Sequence, residues 1–227
     1  MGVGGFLLWK RFGPVSHPAG VTIPTPPQEK VHPPYLLRTV RGQELYSRAK
    51  IHLRGRVLKT KRYHDADAPL APMDLLLGWG PMSDTSVIEP LTFLLRDRTF
   101  QISPETGSFV HGYHILPAQR EVGLILGTLR PGMLVELKGD LFEVRSGNRV
   151  LTTLAPGSSG VEGRLLFVEE ATVLDSPPRI SAAELEAWYH QLEERRKQLD
   201  SNNAKAVKAF NEEAAFYLKL ARPQPQP

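Results

Sequence analysis

The sequence predicts a mainly β protein, α+β overall: a small OB-like β-barrel with short helical insertions, followed by a C-terminal amphipathic helix or helical hairpin. Three observations lead there. Runs of alternating apolar and polar residues recur between Ile51 and Leu174, separated by turn-forming residues. A single stretch with helical spacing, Val122, Ile125, Leu126 and Leu129, interrupts those runs. From Ser181 onward the apolar period changes from two to between three and four. Strands, one helix and further strands are the order of an OB-type barrel.

The elements follow in order. Residues 1–34 form an apolar patch (Phe6, Leu7, Leu8, Trp9) and a linker with seven prolines between 14 and 34. Proline fixes φ and lacks an amide donor, so this linker is expected to run extended over solvent or a domain surface. Residues 35–175 form the barrel domain. Ile51, Leu53 and Val57 fall on one side of the first long strand and His52, Arg54 and Arg56 on the other, with Gly55 marking a bulge or bend. Further strands are expected in 90–102, 133–146, 149–154 and 163–174, with Arg130-Pro131-Gly132 and Pro156-Gly157-Ser158-Ser159-Gly160 as turns. Pro72 at a first helical position and Gly78 at the end predict a short helix over Met73–Leu77. Asp84 or Ser83 is placed to cap a second short helix over TSVIEPL. Residues 176–222 form the helical extension. It opens with a Ser181–Glu184 capping box, and Asp200-Ser201-Asn202-Asn203 either kinks one helix or turns between two. Residues 223–227 are a disordered-looking tail.

Composition bounds the chemistry. The 227 residues contain no cysteine, which excludes thiol catalysis, disulfides and thiolate metal sites. No apolar run approaches the ~18 residues of a membrane-spanning helix. Residues 38–62 hold nine basic residues against the single acid Glu44, so the mild net charge of +4 conceals a basic strand in an otherwise acidic chain. Arg54, Arg56, Lys59, Lys61 and Arg62 are its candidate contacts with an anionic partner: lipid headgroups, another polyanion or nucleic acid. The alternative is a strand whose charges pair with acids elsewhere in the fold.

Three further features carry potential chemistry. Trp79 sits in the loop Gly78-Trp79-Gly80-Pro81-Met82-Ser83-Asp84, either as a ligand platform or as a barrel plug with its indole N–H on a carbonyl. His64, Asp67, His111 and His114 could in principle serve a metal-dependent hydrolase, but residues three apart on a strand face opposite ways, and no metal site is assigned. Ser158-Ser159 reads as a turn, since no base is placed beside it. No nucleophile elbow, phosphate loop or dinucleotide fingerprint occurs, so no catalytic residues and no cofactor are assigned.

The strings YHDADAPLAPMDLLLGWGPMSD (63–84) and YHILPA (113–118) resemble an uncharacterised bacterial family of predicted membrane-anchored or periplasmic proteins with a DLxLGWGPMSD-type segment. The resemblance runs in order over roughly residues 9–175 and falls position by position on Asp74, Gly78, Trp79, Gly80, Pro81, Met82, Ser83, Asp84 and His114. It implies an address at the cell envelope and brings no established activity. The chain departs from the family in a shorter apolar N-terminus, in lacking a cysteine-containing loop after the fourth strand, and in its additional C-terminal helices.

The resulting expectation is a non-enzymatic, envelope-associated binding or assembly module. Trp79, Asp84 and His114 shape a binding end of the barrel, the basic strand meets an anionic surface, and residues 181–222 dock a protein partner or a second copy. A cytoplasmic OB-type single-stranded nucleic-acid binder is the alternative, and the metal-dependent hydrolase a second one.

Overall fold

The computed structural model describes residues 20–96, 98–101, 109–146, 149–151 and 163–221. The apolar patch at 6–9, the glycine–serine turn at 156–160 and the tail lie outside the described residues. The fold is mainly β with C-terminal helices. Nine strands are described: β1 (Gln28–Val40), β2 (Gln43–Arg62), β3 (Met73–Gly78), β4 (Leu94–Arg96), β5 (Thr99–Gln101), β6 (Val110–Pro117), β7 (Leu134–Ser146), β8 (Arg149–Leu151) and β9 (Arg164–Leu174). The helices are α1 (Thr85–Ile88), α2 (Arg120–Leu126), α3 (Ala182–Gln198) and α4 (Ala204–Ala221), with a 3-10 turn at Gly80–Ser83.

Seven strands hydrogen-bond in the order β1-β2-β3-β6-β9-β7-β8, and β2 also pairs with β7. Following the ladders from β2 through β3, β6, β9 and β7 therefore returns to β2. Four of these pairings are antiparallel, and β6–β9 is parallel. The 20-residue β2 makes this possible, because its first half pairs with β1 and β7 while its second half reaches β3. Inside lies an apolar cluster that includes Ile51, Leu53, Val57, Leu75, Tyr113, Ile115, Leu137 and Leu166. α2 links β6 to β7 and sends Val122 and Leu126 into the same cluster, as its spacing predicts, while Ile125 stays exposed.

The turns obey local chemistry. Arg41 and Gly42 both have positive φ (50° and 78°), the requirement of a two-residue type I′ hairpin joining β1 to β2. Before β7, Met133 N–H donates to Arg130 O across Pro131 and Gly132, whose φ of 95° suits a type II turn.

The predicted helix at Met73–Leu77 is corrected: these residues form β3, and every one of them is buried. A strand covered on both faces has an unbroken apolar run with no period of two, and such a run cannot be told from a short helix by pattern. The boundary at residue 34 also moves. β1 begins at Gln28, and Pro33-Pro34 are accommodated at a register shift between Val31 and Tyr35 on an edge strand, where a missing amide is tolerated. The 90–102 run is two short strands, β4 and β5, rather than one.

Both C-terminal possibilities resolve as a hairpin. The Ser181–Glu184 capping box starts α3, and Asp200–Asn203 turn the chain, with Asn203 Oδ1 accepting the Ala206 N–H at the start of α4. Trp188 and Leu192 of α3, with Phe210, Phe216, Tyr217 and Leu220 of α4, join a cluster with Ile23, Leu58, Leu76, Trp79 and Phe109. The apolar face of the extension is thus occupied by the chain's own body. No described helix is long and apolar enough to cross a membrane.

Candidate functional site

The predicted loop at 78–84 docks the N-terminal segment. Ser83 Oγ accepts from Thr22 N–H (3.1 Å) and Ile23 N–H (2.9 Å) and donates to Gly80 O (2.7 Å), and Thr22 Oγ1 donates to Ser83 O (2.8 Å). Gly80 has φ of 54°, and a Cβ there would meet the Phe109 ring at 2.7 Å, so glycine is required twice over. Asp84 caps α1 by accepting from Ser86 N–H (2.9 Å) and also holds Gly20 N–H (3.0 Å). These backbone bonds, the one from Gly20 foremost, keep its carboxyl below the ordinary carboxylate range against the opposing effect of burial. Asp84 therefore serves the structure here.

His114 is likewise committed. Its Nδ1 lies 2.7 Å from Oδ1 of the fully buried Asp74, whose Oδ2 accepts from Tyr63 O–H at 2.8 Å. Arg98 lies over the Tyr63 ring at 4.0 Å and pairs with Asp65 at 2.6 Å. Burial and the hydrogen bond to the Asp74 carboxylate push the Tyr63 hydroxyl well above the ordinary tyrosine range. This network ties β3 and β6 to the segment that follows β2.

Among the described residues, three of the nine basic side chains in 38–62 pair with carboxylates. Arg48 pairs with Glu143 (3.4 Å), Lys50 with Asp140 (2.8 Å) and Glu169 (3.0 Å), and Arg54 with Glu136 (3.0 Å) and Glu184 (2.5 Å). Arg56 is buried and donates to Thr85 and Thr22, and Arg62 donates to Gly127 O. Lys59 and Lys61 remain exposed, Lys61 over the Tyr63 ring at 5.0 Å. Of the five proposed anion contacts, three thus face partners within the chain.

Trp79 is 2% exposed, packed against Phe109 (4.8 Å between centroids) and edge-on to Trp188 (5.7 Å). The ring is buried, and Nε1 lacks the carbonyl partner expected of it, having no hydrogen-bond partner among the described residues. Trp79 lines a cleft of about 680 Å³ between the start of β1 and the α3–α4 hairpin, together with Glu29, Val31, His111, Gln191 and Glu213. His111, not His114, is the β6 histidine that lines this cleft with Trp79. Leu77 is paired with His111 in the ladder, so Trp79, two residues on, follows at the same end of the two strands. The ladder also puts His111 and His114 on opposite faces of β6, and no group of three potential metal ligands forms among the described residues.

The electrostatics of this cleft are balanced. Glu213, 1% exposed, accepts from Trp188 Nε1 (3.0 Å) and Arg195 Nη1 (2.8 Å). Glu29 on β1 is gripped by both arms of Arg164, one at 2.8 Å. Burial lowers the His111 pKa to about 4, aided by the Arg164 charge and opposed by Glu29 and Glu213, so the imidazole is neutral at physiological pH. It then carries one donor and one acceptor nitrogen. Sequence reasoning singled out Trp79, and His111 only as a metal-ligand candidate, but not Glu213 or the β1 wall, because the cleft joins segments far apart in the chain. No family model, curated protein or solved structure matches this chain.

Proposed function

We propose that this protein is a non-enzymatic binding module built on an OB-type barrel, with its ligand site in the cleft between β1, Trp79 and the C-terminal hairpin. The ring of ladders supports the barrel reading: five strands in the order β2-β3-β6-β9-β7, a parallel β6–β9 pair, and a helix between β6 and β7 that covers one end. The observation that carries the binding reading is the cleft of about 680 Å³ walled by Trp79, His111 and Glu213. Interfaces between substructures are also where small-molecule sites concentrate.

Pairing of Arg48, Lys50 and Arg54 with carboxylates leaves fewer free charges for the nucleic-acid alternative, which needs them to neutralise phosphates. An envelope address belongs to the same proposal and rests on the resemblance of residues 63–84; fractionation of cells producing the native gene product tests it.

The cleft reading is tested by thermal-shift screening of free amino acids, sugars, nucleotides and blocked peptides against two proteins. One is the wild-type chain, the other Val31→Trp, which fills the cleft from a side chain that is 81% exposed. Compounds that raise the melting temperature of the wild type alone support the proposal. If no compound distinguishes the two proteins, the cleft is not a ligand site.

A further inference from the structure

We infer that residues 20–27 are a reversible strap, closed in this structure over Arg56 and poised to open the wall of the Trp79 cleft to which they lead. Pro26 and Pro27, at the end of the strap, line that cleft. This goes beyond the binding reading above and does not depend on it, because the strap is defined by what holds residues 20–23, whatever the cleft takes up.

The strap is held as a bound peptide is, by one apolar knob and a few hydrogen bonds. Ile23 is fully buried in the cluster that contains Trp79, Met82, Trp188 and Leu192. Its carbonyl accepts from Gly80 N–H at 2.6 Å. Gly20 N–H donates to Asp84, and the Thr22 and Ile23 amides donate to the Ser83 hydroxyl. All three anchors, Gly80, Ser83 and Asp84, belong to one loop. Residues 20–27 lie outside the described strands, so they lack the ladder that makes β1 and β2 hard to part. Pro24, Pro26 and Pro27 restrict the open strap, so closing it orders little additional chain.

Closure also carries an opposing cost. Arg56 is 1% exposed, and among the described residues the partners of its guanidinium are two hydroxyls. Nη2 donates to Thr22 Oγ1 of the strap (3.3 Å) and Nη1 to Thr85 Oγ1 (3.0 Å), while Nε has no partner among the described residues. Burial lowers the Arg56 pKa, and the Asp84 charge opposes that only in part. A buried charge with so incomplete a shell is costly. Because Thr22 sits on the guanidinium, withdrawing the strap returns Arg56 to water and recovers that cost. The gain from Ile23 and the cost at Arg56 therefore oppose each other in a single closing step, which brings the closed and open positions close in free energy.

The test is amide hydrogen exchange on the full-length chain labelled with 15N, read at Thr22, Ile23 and Gly80, whose N–H groups make the closed contacts. The β2–β7 ladder in the same spectra is the reference. Exchange at the three amides should be about a hundredfold or more faster than in the ladder, since a local opening lies below the global one. Ser83→Ala removes the acceptor of two strap amides and should speed exchange at Gly80, which keeps its own bond to Ile23 O, by about tenfold. An unchanged Gly80 rate would show that the contacts do not open together, and overturns the inference. Arg56→Met removes the charge and leaves Thr22 Oγ1 its bond to Ser83 O. It should slow exchange at all three amides about tenfold, as apolar replacement of a buried ion stabilises the closed form. If Arg56 is instead a clamp on the strap, the same variant speeds exchange and the inference falls. It falls equally if the wild-type amides exchange no faster than the ladder, a result that needs no variant to fold. Fast strap exchange beside a failed ligand screen removes the cleft as a ligand site and leaves the strap standing; slow strap exchange beside a positive screen does the reverse.

Discussion

Two sets of buried polar groups on the same sheet have opposite designs. Around Asp140, which is fully buried, one carboxylate gathers Ser47 (2.5 Å), Tyr35 (2.8 Å) and Lys50 (2.8 Å), with His32 Nε2 3.0 Å from the Ser47 hydroxyl. The proline-containing register shift in β1 accompanies this arrangement, bringing both His32 and Tyr35 to the carboxylate and stacking their rings at 5.0 Å. In the Trp79 cleft, a donor is left open. The difference teaches how to separate structure from function in buried polar groups. A saturated network fixes one conformation, whereas an unsaturated one is a standing cost that binding can remove.

The comparison can be broken most sharply at Asp140. Asp140→Ala strips Ser47, Tyr35 and Lys50 of their common acceptor and should cost about 3 kcal/mol in urea unfolding. That is the low end for a buried ion pair, because Lys50 keeps Glu169. The same residue carries a pH signature. Burial raises the Asp140 pKa, but the bonds from Lys50, Ser47 and Tyr35 outweigh it and hold the carboxyl below its ordinary value. A depressed folded-state pKa contributes stability that is present above the unfolded value near ~4 and is lost as the pH falls through the folded one. Asp140→Asn should therefore flatten the stability–pH curve below about pH 4 relative to wild type. An unchanged curve would show that the carboxylate is not held as described.

Gly163→Ala probes the second saturated network. A Cβ at 163 would lie 2.2 Å from His114 Nε2, and the ring cannot yield without leaving Asp74. The expected loss is about 2 kcal/mol, read from chemical denaturation. Two tyrosines then give a shape-preserving contrast. Tyr63→Phe removes a hydroxyl that serves Asp74 and should cost about 1–2 kcal/mol, whereas the Tyr113 hydroxyl is buried without a partner among the described residues. Tyr113→Phe should be neutral or slightly stabilising, and a loss equal to that of Tyr63→Phe would erase the distinction between open and filled groups.

At neutral pH the smallest effect concerns His111. Its folded-state pKa of about 4 lies below the unfolded value near ~6.5, so the unfolded chain takes up the proton first as the pH falls. The associated loss of stability runs from about pH 6.5 down to 4. NMR titration should show the ring still neutral at about pH 5, and His111→Gln should remove that slope. A titration midpoint near ~6.5 would place the ring in open solvent and dissolve the cleft as drawn.

How much of this was legible depended on range. The Ser181–Glu184 box, and Asp84 as one of two candidate caps for α1, were legible because each is a contact within three residues, while a kink and a turn at Asp200–Asn203 stayed equally open. β3 was misread as a helix because burial on both faces erases strand alternation. The basic strand shows few counter-charges in the sequence because those of Arg48, Lys50 and Arg54, namely Glu136, Asp140, Glu143, Glu169 and Glu184, lie far along the chain. Nothing local announces that they fold back onto it. His111 and His114 were correctly kept apart, since strand geometry is itself local, but which of the two would meet Trp79 was not a local question.

The sequence by itself therefore determined the mainly β class, the position of α2, the caps and turns, and the helical C-terminus. All of these follow from backbone preferences and side-chain periodicity over a few residues. The tertiary structure alone decided where charge and hydrogen-bonding capacity were used up. The β2–β7 pairing brought Arg48, Lys50 and Arg54 to Glu143, Asp140 and Glu136. Docking of the α3–α4 hairpin enclosed Trp79 and left its indole N–H without a partner among the described residues. Satisfaction of a polar group is a property of everything that surrounds it, and the surroundings exist only once distant segments have met.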